Sequence, residues 1–364
     1  MKLGVYGVGR MGRIHAKLVM DSGNEITCIG DDAKGAVDTA VSELSLSCNS
    51  YLSTEDMIEN HPELEAVIIA SHTKDHARHA LPFIHAGIPV YLEKPLTDDL
   101  IEAFEFVAEI GTENNVLQIG LQRRFDEALC HAKRIIDEGL LGEIKEIRSV
   151  LRDQHPPPPT YSSRGLIIDM GIHVADEVIW LTGEFPSSVW ARLFEAKDYD
   201  SPIDEGGNTA FVGFKTTGGI IGRLDLSRTH SSGYNNETYI IGNYGTLHVG
   251  RFCGYPGPVP VELWTTEGKL HERSKTFEMS YLKGDYPEFL PRFKKTFVNA
   301  HNHFRAAVRN KDPFRATQND VLKAQVFVEA AHRSAQKDGQ IFDISYSEDL
   351  EEFRSICYEN KLLD

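Results

Sequence analysis

The sequence has no apolar run of roughly eighteen residues or more, so it offers no segment able to cross a bilayer as a helix. Cysteine is sparse, with Cys28, Cys48, Cys130, Cys253 and Cys357 scattered along the chain. They are odd in number and form no Cys-x-x-Cys pair, which argues against a disulfide framework or a structural zinc site and for a reducing compartment. Positive charge is also short: 38 Lys and Arg stand against 54 Asp and Glu, a net charge of −16. Non-specific binding to nucleic acid or to an anionic membrane is not expected from such a balance. Met1-Lys2 leads straight into a strand-like run and leaves no room for a signal peptide, so a cytoplasmic location is expected. There is no internal repeat, and low complexity is confined to the four prolines Pro156 to Pro159.

What is present fits a soluble chain of two domains or one large one: 364 residues, 41% hydrophobic and 25% charged. The apolar run Leu3-Gly4-Val5-Tyr6 is followed by Gly7-Val8-Gly9-Arg10-Met11-Gly12 and a helix-like segment. A second apolar run, Ile26 to Ile29, ends at Gly30-Asp31-Asp32, with Asp31 nineteen residues beyond Gly12. A Gly-x-Gly-x-x-Gly motif between strand and helix, with an acid at that distance, predicts a dinucleotide site. Gly7, Gly9 and Gly12, with Arg10 and Met11 opening the helix, would meet the pyrophosphate, and Asp31, beside Asp32, the adenosine ribose. A carboxylate there accepts from a free 2′-hydroxyl and repels a 2′-phosphate, which favours NAD over NADP. Strands are expected at Ala66 to Ser71, Pro89 to Leu92 and Val116 to Gly120. At their carboxyl ends, where ligands bind in an open α/β sheet, lie Ser71, His72, Thr73 and His76, then Glu93-Lys94-Pro95, then Gln122. A lysine in that position can hydrogen-bond a reacting hydroxyl and stabilise negative charge on it. The proline fixes the chain behind it, through a cis bond if the turn requires one. His72, His76, His79 and His85 lack an acid or cysteine to complete a metal set, and most are expected as helix-surface or cap residues.

The composition changes near residue 122. The fold class expected is α/β: a Rossmann dinucleotide-binding domain over 1–122, then an α/β domain over 123–364 with a large open, mainly antiparallel sheet. Hairpin signals occur at Lys215 to Gly218, Gly242 to Gly245 and Thr265 to Gly268, the last between expected strands at Val261 to Trp264 and Leu270 to Ser274. Two helices, Pro291 to Arg309 and Gln318 to Lys337, are expected to close the chain. One face of the sheet must pack on helices, and the other is expected to meet another subunit.

The stretch Ile167 to Asp176 reads as one helix, on which Asp169, His173 and Asp176 fall on one side at spacings of four and three. Ile168, Ile172, Ala175 and Ile179 repeat on another side and suit a core. The acid–His–acid face is either an ordinary solvated face or a reactive one. As metal ligands, the three would make a lyase or hydrolase and leave the nucleotide motif without a task.

Together, Gly7-x-Gly9-x-x-Gly12, Ser71-x-Thr73-x-x-His76, Glu93-Lys94-Pro95 and Asp169-x-x-x-His173-x-x-Asp176 resemble the Gfo/Idh/MocA oxidoreductase family over nearly the full length. Gln122-Arg123-Arg124-Phe125-Asp126, with Lys94, Asp169 and His173, looks most like its inositol dehydrogenase branch. The resemblance implies a catalytic Lys94–Asp169–His173 set, with His173 as general base, oxidising a ring hydroxyl of myo- or scyllo-inositol with NAD. It places Ser71 to His76 on the nicotinamide side. It brings Asp153, Tyr234 and one or both of Arg123 and Arg124 to the polyol hydroxyls, with His155 a further candidate. The Pro156 to Pro159 run belongs to no pattern of the family. The resemblance also implies a homotetramer assembled through the sheets. An aldose dehydrogenase, a keto-sugar reductase and a non-catalytic NAD-binding protein are the competing readings.

Overall fold

The computed structural model describes residues 1–111, 116–155, 163–195, 207–251, 257–282 and 286–363. The proline run Pro156 to Pro159 and Cys253 lie outside the described residues. The chain forms two compact units, Met1–Gln122 with Phe297–Leu322, and Arg123–Thr296 with Lys323–Asp364.

In the first unit the elements are β1 (Leu3–Tyr6), α1 (Arg10–Asp21), β2 (Ile26–Gly30), α2 (Lys34–Leu44), β3 (Asn49–Tyr51), α3 (Thr54–Asn60), β4 (Ala66–Ile69), α4 (His76–His85), β5 (Val90–Leu92), α5 (Leu100–Ile110) and β6 (Leu117–Ile119). The six strands form one parallel sheet in the order β3-β2-β1-β4-β5-β6. Every residue of β1, β4, β5 and β6 is buried, as a parallel sheet covered on both faces demands. The order reverses between β1 and β4, so their carboxyl ends open the crevice in which such sheets bind ligands.

The expected second domain, 123–364, is not one continuous piece, because residues 297–322 belong with the first unit. The reason is the open edge at β6. Ile119 N there donates to Ala316 O at 2.9 Å, Gln118 Nε2 donates to Ala300 O at 3.3 Å, and Phe304 packs edge-on against Tyr91. A segment from far along the chain thus satisfies groups that an uncovered edge would leave unpaired.

The remaining elements are α6 (Glu127–Asp137), β7 (Ile144–Arg152), α7 (Leu166–Asp169), α8 (Gly171–Thr182), β8 (Pro186–Phe194), β9 (Thr209–Thr216), β10 (Ile221–Ser227), β11 (Asn235–Gly242), β12 (Thr246–Arg251), β13 (Val259–Thr265), β14 (Gly268–Lys269), β15 (Lys275–Phe277), α9 (Leu290–Asn310), α10 (Gln318–Gln336), β16 (Phe342–Asp343) and α11 (Leu350–Glu359). The sheet runs β14-β13-β12-β11-β7-β10-β9-β8-β16, with β15 pairing β13. It is antiparallel except where β7 and β10 run parallel. Helix α8 lies against β7 and β10, and α7 against β9 and β10. On the sheet's other face Trp190, Phe194, Ile221, Ile241 and Trp264 are exposed.

Three local expectations change. Leu270 to Ser274 is not a strand. The hairpin closes earlier, at Gly268–Lys269, and Ser274 Oγ accepts from Leu263 N while donating to Leu270 O, so the chain turns before pairing again at Lys275. A third helix, α11, follows the two expected at the end, with the Asp349 side chain capping Glu352 N. The helix expected over Ile167 to Asp176 is two segments, α7 and α8, that meet at Met170. Among the described residues, no helix is long and apolar enough to cross a membrane.

Candidate active site

The glycine turn of the first unit is built by contact. Gly7 has φ +83, and a Cβ there would lie 2.2 Å from Ser71 N; a Cβ on Gly12 would lie 1.9 Å from Gly7 O. Both positions admit only glycine, so β1, the turn and the end of β4 come together closely. Gly9 differs, because a Cβ on it would meet nothing within 4 Å. It stands at the N-cap of α1 with no side-chain cap and no acid in the first turn, so the helix start keeps its N–H groups and its partial positive charge for something else. Arg10 is exposed and Met11 half-buried beside it. This cradle fits a pyrophosphate.

The two acids after β2 have different surroundings. Asp31 accepts from Val8 N through Oδ2 and from Ala33 N through Oδ1, both at 2.9 Å, which fixes it at the glycine turn. Asp32 takes the Tyr6 hydroxyl at 2.5 Å and the Arg78 guanidinium at 2.5 Å, with His79 at 3.3 Å. Burial pushes the Asp32 carboxyl up, but the Tyr6 hydroxyl and Arg78 outweigh it and bring it down to about 2. Asp32 is thus engaged by the protein's own donors, and Asp31 is the acid fixed at the glycine turn. Arg78 and His79 were not expected at this acid. They arrive on α4 by the parallel pairing of the strands, a relation no local motif signals.

At the end of β4, His72 is exposed, and Ser71 and Thr73 are half-buried. His76 and His79 are buried, which corrects their reading as surface residues. His76 bridges Pro95 O at 2.7 Å and Ser71 O at 3.1 Å, and His79 Nδ1 lies 2.8 Å from Ser71 Oγ. These contacts tie the β4 turn to the β5 turn. Burial lowers the His76 pKa, against the two carbonyl oxygens, which raise it. The Lys94-Pro95 peptide is cis, and Lys94 is half-buried. Glu93, expected as a cofactor contact, is buried, with its carboxylate bonded to His15 at 2.8 Å and to Lys94 N at 3.2 Å. Gln122 is buried. No group of three or more metal-ligating side chains occurs among the described residues.

In the second unit, Asp169 ends α7 and accepts from the buried Arg228 guanidinium at 2.7 Å. His173, half-buried, lies in the first turn of α8, where His173 N donates to Met170 O at 3.2 Å. Asp176 is not the third member of an open face. It is buried and bonded to Arg124 at 2.6 Å. Arg123 also differs from the expectation of a polyol ligand: it is 2% exposed, paired with the fully buried Glu177 and set against the Phe293 ring. Glu177 further accepts from Ser149 at 2.9 Å and Thr238 at 2.5 Å, which bolts α8 to β7 and β11. Asp126 of the same motif caps α6 at Leu129 N and pairs with Arg292.

The remaining polyol candidates lie on loops of this unit. Asp153 is half-buried, its backbone joined to Ser227 O and His230 N. His155 is exposed, 3.9 Å from Glu288. Tyr234 is half-buried, edge-on to Phe293, and burial pushes its phenol up.

Residues 1–121 match an oxidoreductase family with an NAD-binding Rossmann fold, and residues 130–248 match the GFO/IDH/MocA C-terminal domain. The chain is 28% identical to an inositol 2-dehydrogenase of Rhizobium meliloti over 94% of this chain and 98% of that protein. It is 29% identical to a scyllo-inositol 2-dehydrogenase (NAD(+)) of Bacillus subtilis over 91% and 93%. In fold it is similar to a myo-inositol dehydrogenase of Lactobacillus casei solved with NAD(H) and myo-inositol, with a TM-score of 0.79 at 24% identity, covering 95% of this chain and 97% of the other.

Proposed function

The chain belongs to the Gfo/Idh/MocA oxidoreductase family, and we propose that it is an NAD-dependent dehydrogenase that oxidises a ring hydroxyl of myo- or scyllo-inositol to the ketone. The observation that carries this reading is near full-length likeness to two inositol dehydrogenases, in a chain that keeps Lys94, Asp169 and His173. Gly7, Gly9 and Gly12, with the N-terminal N–H groups of α1, hold the cofactor pyrophosphate, and Asp31 holds the adenosine ribose. Ser71, His72 and Thr73 line the nicotinamide side. NAD, when bound, supplies the acceptor for the hydride that leaves the carbinol carbon.

His173 takes the proton of the reacting hydroxyl, a task suited to an imidazole near neutral pH. Lys94 donates a hydrogen bond to the same oxygen and stabilises its alkoxide character. Asp169, held by Arg228, keeps negative charge and orientation at the base. Asp153, His155 and Tyr234 bind the remaining hydroxyls. Arg123 is given no direct contact, because its guanidinium is engaged with Glu177. The protein acts in the cytoplasm as a homotetramer joined through the outer faces of the large sheet.

The test is NADH formation with myo-inositol, scyllo-inositol and D-glucose, each with NAD and with NADP, on the parent and on Lys94→Ala. Turnover of an inositol with NAD, lost in Lys94→Ala while NADH binding persists, is the expected result. Turnover of glucose alone removes the substrate assignment. Parent-like turnover in Lys94→Ala removes Lys94 from the chemistry.

A further inference from the structure

We propose that Glu93, His15 and His301 form a buried brace that positions Lys94, which makes His15 and His301 positioning residues for the dehydrogenase reaction. The proposal rests on the assignment of Lys94 made above. All three side chains belong to the first unit. His15 is fully buried on α1, in the turn that follows Gly12. Its Nε2 lies 2.8 Å from Glu93 Oε1, and its Nδ1 lies 2.8 Å from His301 Nε2. Glu93 Oε2 takes the backbone N–H of Lys94 at 3.2 Å. The line therefore runs from the helix at the cofactor turn, through a carboxylate, to the main chain of the catalytic lysine.

The surroundings are built for it. The rings of Tyr91, Phe297 and His301 stand 5.6, 5.5 and 5.0 Å from that of His15. A Cβ on Gly120 would lie 2.9 Å from Glu93 Oε1, so the residue after β6 must be small for the carboxylate to fit. Two imidazoles in series admit few proton arrangements. If His15 donates from Nε2 to Glu93 and accepts at Nδ1 from His301, both of its nitrogens are satisfied. His301 Nδ1, which has no hydrogen-bond partner among the described residues, is then a bare lone pair rather than a buried N–H. Burial holds His301 neutral, in keeping with that arrangement.

A buried acid with two imidazoles adds little stability that apolar side chains of similar volume could not supply. What it adds is a fixed place. Apolar groups would fill the space without tying the Lys94 main chain to α1. The glycine contacts set the cofactor turn independently of this line. Loosening the brace should therefore displace Lys94 while the cofactor turn stays as it is.

The experiment compares His15→Leu, His15→Gln, His301→Phe and Lys94→Ala in kcat, polyol KM and NADH affinity by fluorescence titration. Small displacements of a reacting group can cost about 10²-fold, so His15→Leu is expected to lose on that order in kcat, with KM and NADH affinity within about three-fold of the parent. His15→Gln can still donate to Glu93 and is expected to regain at least about ten-fold of the loss. His301→Phe keeps the size and the ring contacts but removes the second anchor, and is expected to lose about five- to ten-fold in kcat. The proposal is overturned if Lys94→Ala is silent while His15→Leu stays within about two-fold of the parent kcat. It is also overturned if His15→Gln is as slow as His15→Leu, or if NADH affinity falls in step with kcat. Should His15→Leu not fold, His301→Phe decides: a kcat loss at unchanged KM upholds the brace, and parent-like kcat overturns it. Normal turnover in Lys94→Ala overturns the catalytic assignment itself, and the brace with it.

Discussion

Arg123 and Arg124 are adjacent, yet they serve different acids on α8: Arg123 bonds Glu177 and Arg124 bonds Asp176. Both acids are nearly or fully buried. Removing one partner of such a pair strands a charge in the interior and costs about 3–5 kcal/mol. Arg123→Leu is therefore expected to lower the urea midpoint strongly, by that order of free energy. A direct polyol ligand would behave differently, raising KM with little change in midpoint, so the two measurements together separate the roles. The residue scale is also where reading from sequence was weakest. The motif Gln122 to Asp126 shows an unusual density of charge, but its partners Asp176, Glu177 and Arg292 lie some fifty to a hundred and seventy positions away. A charge met in isolation suggests a ligand, and only the fold reveals a buried counter-ion. His15 escaped notice for the same reason, since its partners Glu93 and His301 are brought to it by β5 and by the returning segment 297–322.

At the scale of elements, the turn from β1 to α1 separates what glycine does for the fold from what it does for a ligand. Gly7 and Gly12 are fixed by the protein's own backbone, whereas Gly9 faces open space. Gly9→Ala is therefore expected to leave the stability of the cofactor-free protein within about 0.5 kcal/mol. On the proposed cofactor site its added methyl would stand in the path of the pyrophosphate, so NADH affinity is expected to fall by about ten-fold or more, on the order of 1.4 kcal/mol. A drop in cofactor-free stability with unchanged affinity would move the ligand away from this turn. Elements of this kind were legible because glycine spacing and apolar runs are local signals. The break at Met170 was not. Asp169 and His173 keep helical spacing in sequence, but α7 follows an N-cap glycine, Gly165, with φ +91 and ends at Asp169, and α8 starts anew at Gly171. A Cβ on Gly171 would come within 3.3 Å of Leu226 and 3.4 Å of Val328, so close packing against β10 and α10 sets that start. Periodicity records faces, not the neighbours that interrupt them.

At the scale of the molecule, the order of strands in the large sheet decides how an acidic chain would find its own copies. Register aligns Trp190, Gly213, Arg223, Arg148, Tyr239, His248 and Glu262 across seven strands on one face. Along this face Asp225 is paired with Arg148 and Arg223, Glu237 with His248, and Glu262 with Lys269, so most of its acids are already neutralised. Beside the exposed charged side chains Glu146, Arg192, Lys215 and Arg223, a set of large apolar side chains is uncovered there: Trp190, Phe194, Ile221, Ile241 and Trp264. A net charge of −16 should keep copies of the chain apart, and a face whose acids are matched while its aromatic and aliphatic groups stay bare is where that repulsion is weakest. Self-association through one such face is isologous, so a single substitution enters each contact twice. Ile221→Asp, on the most exposed of the aliphatic side chains in the row at 63%, places two carboxylates in each such contact. The parent is expected to sediment as an assembly larger than one chain, and Ile221→Asp as a smaller one. Because the substitution lies on the outer face, circular dichroism and NADH affinity are expected to stay as in the parent. A parent that sediments as a single chain at micromolar concentration would leave this face without a partner of its own kind.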